Sequence, residues 1–180
     1  MSIRGLVEFV TDRDIFTRVL TEAIPAAEKF VWIATADLKD AHVPKGKQFV
    51  PFLEILSDLL GEGVGVRLIH AKEPGPIFRQ DFDRYPNLIT GLERLLCPRV
   101  HFKSVVVDGT FAYSGSANLT GAGMGAKSAT KRNFETGFLT RDPELVQAIM
   151  AQFDAVWMGA LCGDCRRREF CGDAPDMLQG

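Results

Sequence analysis

Val100-His101-Phe102-Lys103-Ser104-Val105-Val106-Val107-Asp108, followed after six residues by Gly115-Ser116-Ala117-Asn118, is where the architecture is most legible. The first run alternates and then turns continuously apolar, the pattern of a strand buried on both faces. Successive side chains of a strand leave opposite faces, so His101 and Lys103 share one side and Phe102 takes the other. Asp108-Gly109 is a hairpin turn signal, and residues 111–114 read as the returning strand. An imidazole is thereby set beside a fixed ammonium at the mouth of a buried hairpin.

Outward from the hairpin, residues 6–10 and 30–34 read as short strands. Between them Ile15, Phe16, Val19, Leu20, Ala23 and Ile24 recur at helical spacing after a cap at Asp12 or Asp14, predicting a helix that runs toward Glu28. A polar stretch at 37–47 precedes a second amphipathic helix, marked by Phe49, Phe52, Leu53, Leu56, Leu59 and Leu60 and ended by Gly61 and Gly63. Residues 64–69 form the next strand, 72–76 a turn, and a less regular helical segment broken at Pro86 leads toward Leu96. Beyond the hairpin come a glycine-rich loop, a last strand at 134–139, and a helix opened by Asp142-Pro143. Strands alternating with helices, then a hairpin, predict an α/β fold with one mixed β-sheet sandwiched by helices. One folded domain over 1–158 and a Cys-rich tail over 159–180 are the expected organisation, with no internal repeat.

The 180 residues amount to about one domain, long enough to bury roughly 70% of the surface of the unfolded chain. With 46% hydrophobic and 24% charged residues the composition is globular, which excludes a disordered or collagen-like chain. The net charge of −2 gives no whole-molecule field for a polyanion, so any nucleic-acid binding must come from a local cluster. Apolar runs stop well short of the ~20 residues a membrane span requires, and residues 1–8 carry no signal-like hydrophobic region. A cytoplasmic protein is the expectation. In that reducing compartment four cysteines read as thiols or metal ligands ahead of disulfides, and three of them crowd into the tail.

The complete spacing, His-x-Lys, four residues, Asp, six residues, Gly-Ser-x-Asn, resembles the HKD signature of the phospholipase D superfamily. The resemblance implies a phospholipase D-like fold and a phosphodiesterase in which His101 attacks phosphorus. Imidazole suits that role at neutral pH, and a phosphohistidine divides one hard displacement into two easier ones. Lys103 would supply positive charge to the phosphoryl oxygens, Ser116 and Asn118 would donate hydrogen bonds to them, and Asp108 would hold the hairpin or the network. Asn133-Phe134-Glu135-Thr136-Gly137 resembles the family strand whose acidic residue backs the histidine, so Glu135 is expected to orient His101 through Nδ1.

Members of the superfamily use two such histidines, one as nucleophile and one as acid, and this chain carries one motif. His42 and His70 do not fit its frame. The resemblance therefore implies a homodimer with one composite site, as in the short single-motif nucleases, and no catalytic metal, because two lysines supply the charge. Nuclease action on DNA, or RNA, is the expectation. A phospholipase or phosphatidyltransferase, which would call for a membrane-facing apolar rim, and a non-catalytic nucleic-acid-binding member of the fold are the alternatives.

Gly121-Ala122-Gly123-Met124-Gly125-Ala126-Lys127-Ser128 fails the spacing of an ATP-binding phosphate loop, since Ala126 separates glycine from lysine. It reads instead as a wall of the site, offering Lys127, Lys131 and Arg132 to a polyanionic chain, with Lys45 and Lys47 on a second wall. In the tail, Cys162-x2-Cys165 lets two thiolates reach one centre, Cys171 supplies a third, and Cys97 is the remaining candidate for a fourth. That pattern resembles the iron–sulfur staple of AddB-type helicase-nucleases, whose fold is unrelated. A structural [4Fe-4S] cluster is the expectation, with zinc as the alternative.

Overall fold

Phe30-Val31-Trp32-Ile33-Ala34-Thr35 has no charge to keep in water, and in the computed structural model, which describes residues 6–39 and 41–172, it forms an interior strand of the main sheet. As β2 (Phe30–Thr35) it pairs parallel with β5 (Gly65–His70) and antiparallel with β7 (Lys103–Val107). Before β2 come β1 (Val7–Thr11) and α1 (Asp12–Ile15), the latter continuing through Phe16–Ala23 in the wider i→i+5 winding. Next are β3 (His42–Lys45), β4 (Gln48–Pro51) and α2 (Phe52–Gly61). After β5 come α3 (Pro76–Phe82), α4 (Pro86–Gly91) and β6 (Leu92–Leu96), then β7, β8 (Phe111–Gly115), β9 (Thr136–Thr140) and α5 (Pro143–Trp157). The main sheet has the order β1-β9-β8-β7-β2-β5-β6.

The alternation of each strand sorts its side chains onto two layers. Val31, Ile33, Val105, Val107 and Tyr113 face a core made with α2, Ile15, Phe16, Val19 and Leu20. Trp32, Ala34, Val106 and Ala112 face the other way, where α5 lays Val146 and Phe153 on them. Trp32, Phe153 and Trp157 stack at centroid spacings of 5.0 and 5.8 Å. α5 starts where the sequence says: Pro143 occupies its first turn, and the Asp142 carboxylate accepts from the Glu144 and Leu145 amides at 3.0 and 3.1 Å.

Three expectations change. β6 forms where a helical segment was expected to continue, because Leu88, Leu92, Leu95 and Leu96 mimic helical spacing while the chain needs an edge strand beside β5. The polar stretch at 37–47 contains the start of the β3–β4 hairpin, turning at Gly46 with φ 62°, so Phe49 lies on β4 and α2 begins at Phe52. β7 begins at Lys103; residues 100–102 approach it in irregular conformation, leaving His101 exposed at its mouth. The tail is described only to Gly172, so the last eight residues of the expected 159–180 segment lie outside the described residues.

Candidate active site

Lys103 is a long cation on a strand whose neighbours are all buried, and it is itself 7% exposed. A buried ammonium must be hydrogen-bonded. Its Nζ donates to the His101 carbonyl at 2.7 Å and lies 3.2 Å from His101 Nδ1. Burial lowers its pKa below the ordinary lysine value, and the Glu135 carboxylate pulls the other way. The expected neighbours, His101 and Lys103, are thus in contact.

β8 delivers the next residues to the same end of the sheet, since Gly115 pairs with Lys103. A Cβ at Gly115 would run into the Tyr113 hydroxyl and the Thr136 carbonyl, which is why the Gly-Ser-x-Asn element opens with glycine. Ser116 donates its hydroxyl to Glu135 Oε2, and Asn133 Nδ2 donates to Glu135 Oε1 at 3.0 Å. The described bonds of the Glu135 carboxylate therefore go to Ser116 and Asn133, while the atom bonded to His101 Nδ1 is Lys103 Nζ. Asn118 Oδ1 accepts from the Ala36 and Asp37 amides at 3.2 and 3.1 Å, which commits the amide oxygen to the backbone and leaves the NH2 end to donate.

Asp108 sits apart from these residues, at the other end of β7. Its carboxylate accepts from the amides of Glu28, Lys29 and Phe30 at 2.9, 2.8 and 2.9 Å, which anchors the entry to β2. Burial pushes its pKa up, yet those three amides with the Lys29 charge pull harder and hold it below the usual carboxylate value. Asp108 and Gly109 have φ of 53° and 67°, the left-handed pair of a type I′ hairpin turn.

The basic residues divide. Lys45 is paired with Glu54 and Asp58 on α2 at 2.7 and 2.5 Å and so belongs to the hairpin's attachment. Lys47, Lys127 and Lys131 are exposed and Arg132 half-buried. Lys127 lines a 480 Å³ groove with Lys39, His42, Phe49 and Ile77. That groove adjoins the Asn118 loop, because Lys39 N donates to the Leu119 carbonyl at 3.0 Å. His70 is fully buried, with Nδ1 bonded to the Lys72 carbonyl at 2.8 Å.

Asp12 is the positioning residue that the sequence did not reveal. Its amide donates to the Glu135 carbonyl at 3.0 Å and its carboxylate accepts from the Glu135 amide at 2.8 Å, holding Glu135 from both sides. It does so at φ 46°, which costs backbone strain for a residue with a Cβ. Its partner lies 123 residues away, so no local signal could identify it. Thr35, buried at the end of β2, donates to the Asp37 carbonyl at 2.7 Å and accepts from the Leu119 amide at 2.9 Å, zipping the Asn118 loop to β2.

Cys97, Cys162, Cys165 and Cys171 are free thiols, and all four line one cavity of about 590 Å³. Among the described residues, no group of three or more His, Cys, Asp or Glu side chains is arranged to hold a single metal ion. The Arg167 amide and the Arg99 guanidinium hold the Cys165 thiol below its ordinary pKa. No helix among the described residues is long and apolar enough to cross a membrane.

Comparison with known proteins bears on this geometry. No curated protein matches the sequence. The fold is similar to NucT from Helicobacter pylori, at 15% identity and a TM-score of 0.60, covering 82% of this chain and 94% of that one. It is similar to Nuc from Salmonella typhimurium, a phospholipase D family member, at 18% identity and TM-score 0.61, covering 84% and 93%. TrmBL2, an archaeal chromatin protein with a novel mode of DNA binding, aligns at 14% identity and TM-score 0.58 over 88% of this chain and 54% of its own. The model of a family described as "Cardiolipin synthase, PLD-like domain" matches residues 20–157, a span that takes in the His101–Lys103 pair, the Gly115–Asn118 turn and Glu135. With that span covering most of the sequence, the chain belongs to the family of phospholipase D-like domains.

Proposed function

We propose that this protein is a phosphodiesterase that cleaves nucleic acid, DNA in preference, through a phosphohistidine on His101 and without a catalytic metal ion. The observation that carries the reading is the convergence of His101, Lys103, Ser116, Asn118 and Glu135 at one end of the sheet, with the lysine buried against the histidine. A pure binding surface has no use for a buried ammonium beside an exposed imidazole.

In the proposed reaction His101 Nε2 attacks phosphorus and the P–O bond to the departing nucleoside breaks. The leaving oxygen takes a proton from the imidazolium of His101 of the partner subunit. Water then attacks phosphorus, giving its proton back to that imidazole, and the P–N bond breaks. Lys103 and the NH2 of Asn118 neutralise the oxygens as charge builds. In this reading the second histidine comes from a two-fold partner, since the chain carries one His-x-Lys motif; His70 is buried, and His42 lies on β3 along the Lys127 groove, outside that motif. Phe134, next to Glu135 and 93% exposed, is an apolar group that such a partner would cover.

The test is to incubate the protein with labelled single-stranded DNA, double-stranded DNA, RNA and phosphatidylcholine, each in excess EDTA. Cleavage of DNA is expected, lowered about a thousandfold or more in His101→Ala. Turnover of the lipid alone would favour the phosphatidyltransferase reading suggested by the matched family's description. DNA binding without cleavage would make the chain a non-catalytic member.

A further inference from the structure

Residues 161–172 form a segment in which only Cys162, Cys165 and Cys171 are half-buried; each of the other nine residues is exposed, including Leu161 and Phe170 at 59%. A segment that turns its cysteines inward and its apolar side chains outward is not held by hydrophobic packing. Polar bonds shape it instead. Arg168 donates to the Cys162 carbonyl at 3.1 and 2.8 Å, and the Cys165 amide closes a turn onto the same carbonyl at 3.2 Å. Arg99 Nη1 reaches back to the Leu161 carbonyl at 3.3 Å, and Cys171 Sγ donates to the Leu96 carbonyl at 3.5 Å. That last contact brings Cys171 to the residue preceding Cys97.

The three tail cysteines therefore meet the fourth, which lies 65 positions earlier in the chain, around one cavity of about 590 Å³. The cavity is far larger than a lone ion fills, a single water in bulk occupying about 30 Å³. Tetrahedral zinc, with Zn–S bonds of about 2.3 Å, would draw its sulfurs to within about 3.8 Å of one another. The described cysteines are not gathered in that way. A cubic iron–sulfur core carries its irons at alternate corners and so takes its thiolates further apart. Arg99, Arg167 and Arg168 line the same cavity and would balance the negative charge of four thiolates.

We propose that Cys97, Cys162, Cys165 and Cys171 ligate one [4Fe-4S] cluster, which clamps the tail to the back of the catalytic strand. In transfer of a preformed core each cysteine gives up its S–H proton and displaces one terminal thiolate from an iron, the departing thiolate taking up a proton, so that four Fe–S bonds break, four form and no oxidation state changes. Its place in the fold gives it a structural consequence. Phe102, between His101 and Lys103, lines the cavity, as do Pro98 and Val100. The cluster would therefore fix, from behind, the irregular segment that presents His101.

Iron, zinc and acid-labile sulfide are to be measured on the full chain purified without oxygen, together with visible absorption. About four irons and four sulfides per chain in a brown protein are expected. Cys97→Ser and, separately, Cys171→Ser should each reduce iron to below one per chain, with α/β secondary structure by circular dichroism retained in at least the tail variant. One zinc per chain without sulfide overturns the cluster, and so does protein that holds neither metal after such purification. Iron retained in both variants overturns the ligand assignment. None of these readouts depends on phosphodiesterase activity.

Discussion

His101 and Lys103 are placed as a resting pair. A protonated amine has only hydrogens to offer, so while Nζ lies 3.2 Å from Nδ1, that nitrogen accepts and the proton of a neutral ring sits on Nε2. In the proposed reaction, attack by Nε2 would require the other tautomer, and a phosphate group would supply the change by drawing the ammonium onto its own oxygens, freeing Nδ1 to hold the ring proton. Because burial lowers the Lys103 pKa and Glu135 opposes that shift, the alkaline limb of the cleavage rate should fall below the ordinary lysine range. Glu135→Gln removes the opposing charge and should move that limb to still lower pH. A pH–rate profile of both proteins checks this, and an unmoved limb in the variant would detach Lys103 from the alkaline titration.

At the scale of elements, the β7–β8 hairpin does two jobs at its two ends, with the site at one and the Asp108 anchor at the other. Three amide bonds to a partly solvated carboxylate make Asp108→Asn destabilising by about 1–2 kcal/mol. The Asp108 pKa is depressed in the folded state, so its contribution is complete above the unfolded value of about 3.9 and is lost as pH falls through the folded one. Denaturant melts at pH 7 and pH 3 should differ less for Asp108→Asn than for the native chain. The hairpin, β2, β5 and α5 were legible from the sequence because their patterns are local: a strict alternation, an Asp-Gly turn, a capped helix. β6 and the β3–β4 hairpin were not, since an edge strand with leucines at helical spacing and a hairpin inside a polar run carry no decisive period. The candidates His101, Lys103, Ser116, Asn118 and Glu135 came from the resemblance to the family signature, but the bonds of Glu135 could not be read that way. They depend on Asp12 and Asn133, which only the closed sheet brings to it.

For the whole molecule, one sheet end carries the candidate active site on one side and the cysteine cavity on the other, with residues 97–103 between them. The proposed reaction needs two histidines where each chain offers His101, and an exposed Phe134 lies beside the site, so the proposal predicts a two-fold dimer. Light scattering should give twice the 19.9 kDa chain mass. Subunit exchange with excess His101→Ala chains should depress the activity of native chains, an effect that a self-sufficient monomer would not show. The most direct test of the central claim is to quench the reaction with end-labelled DNA in excess EDTA and map any covalent adduct by mass spectrometry. An acid-labile, base-stable phosphoryl adduct on His101, absent from His101→Ala, is the predicted result; cleavage that appears only on adding magnesium, with no adduct on His101, would contradict it.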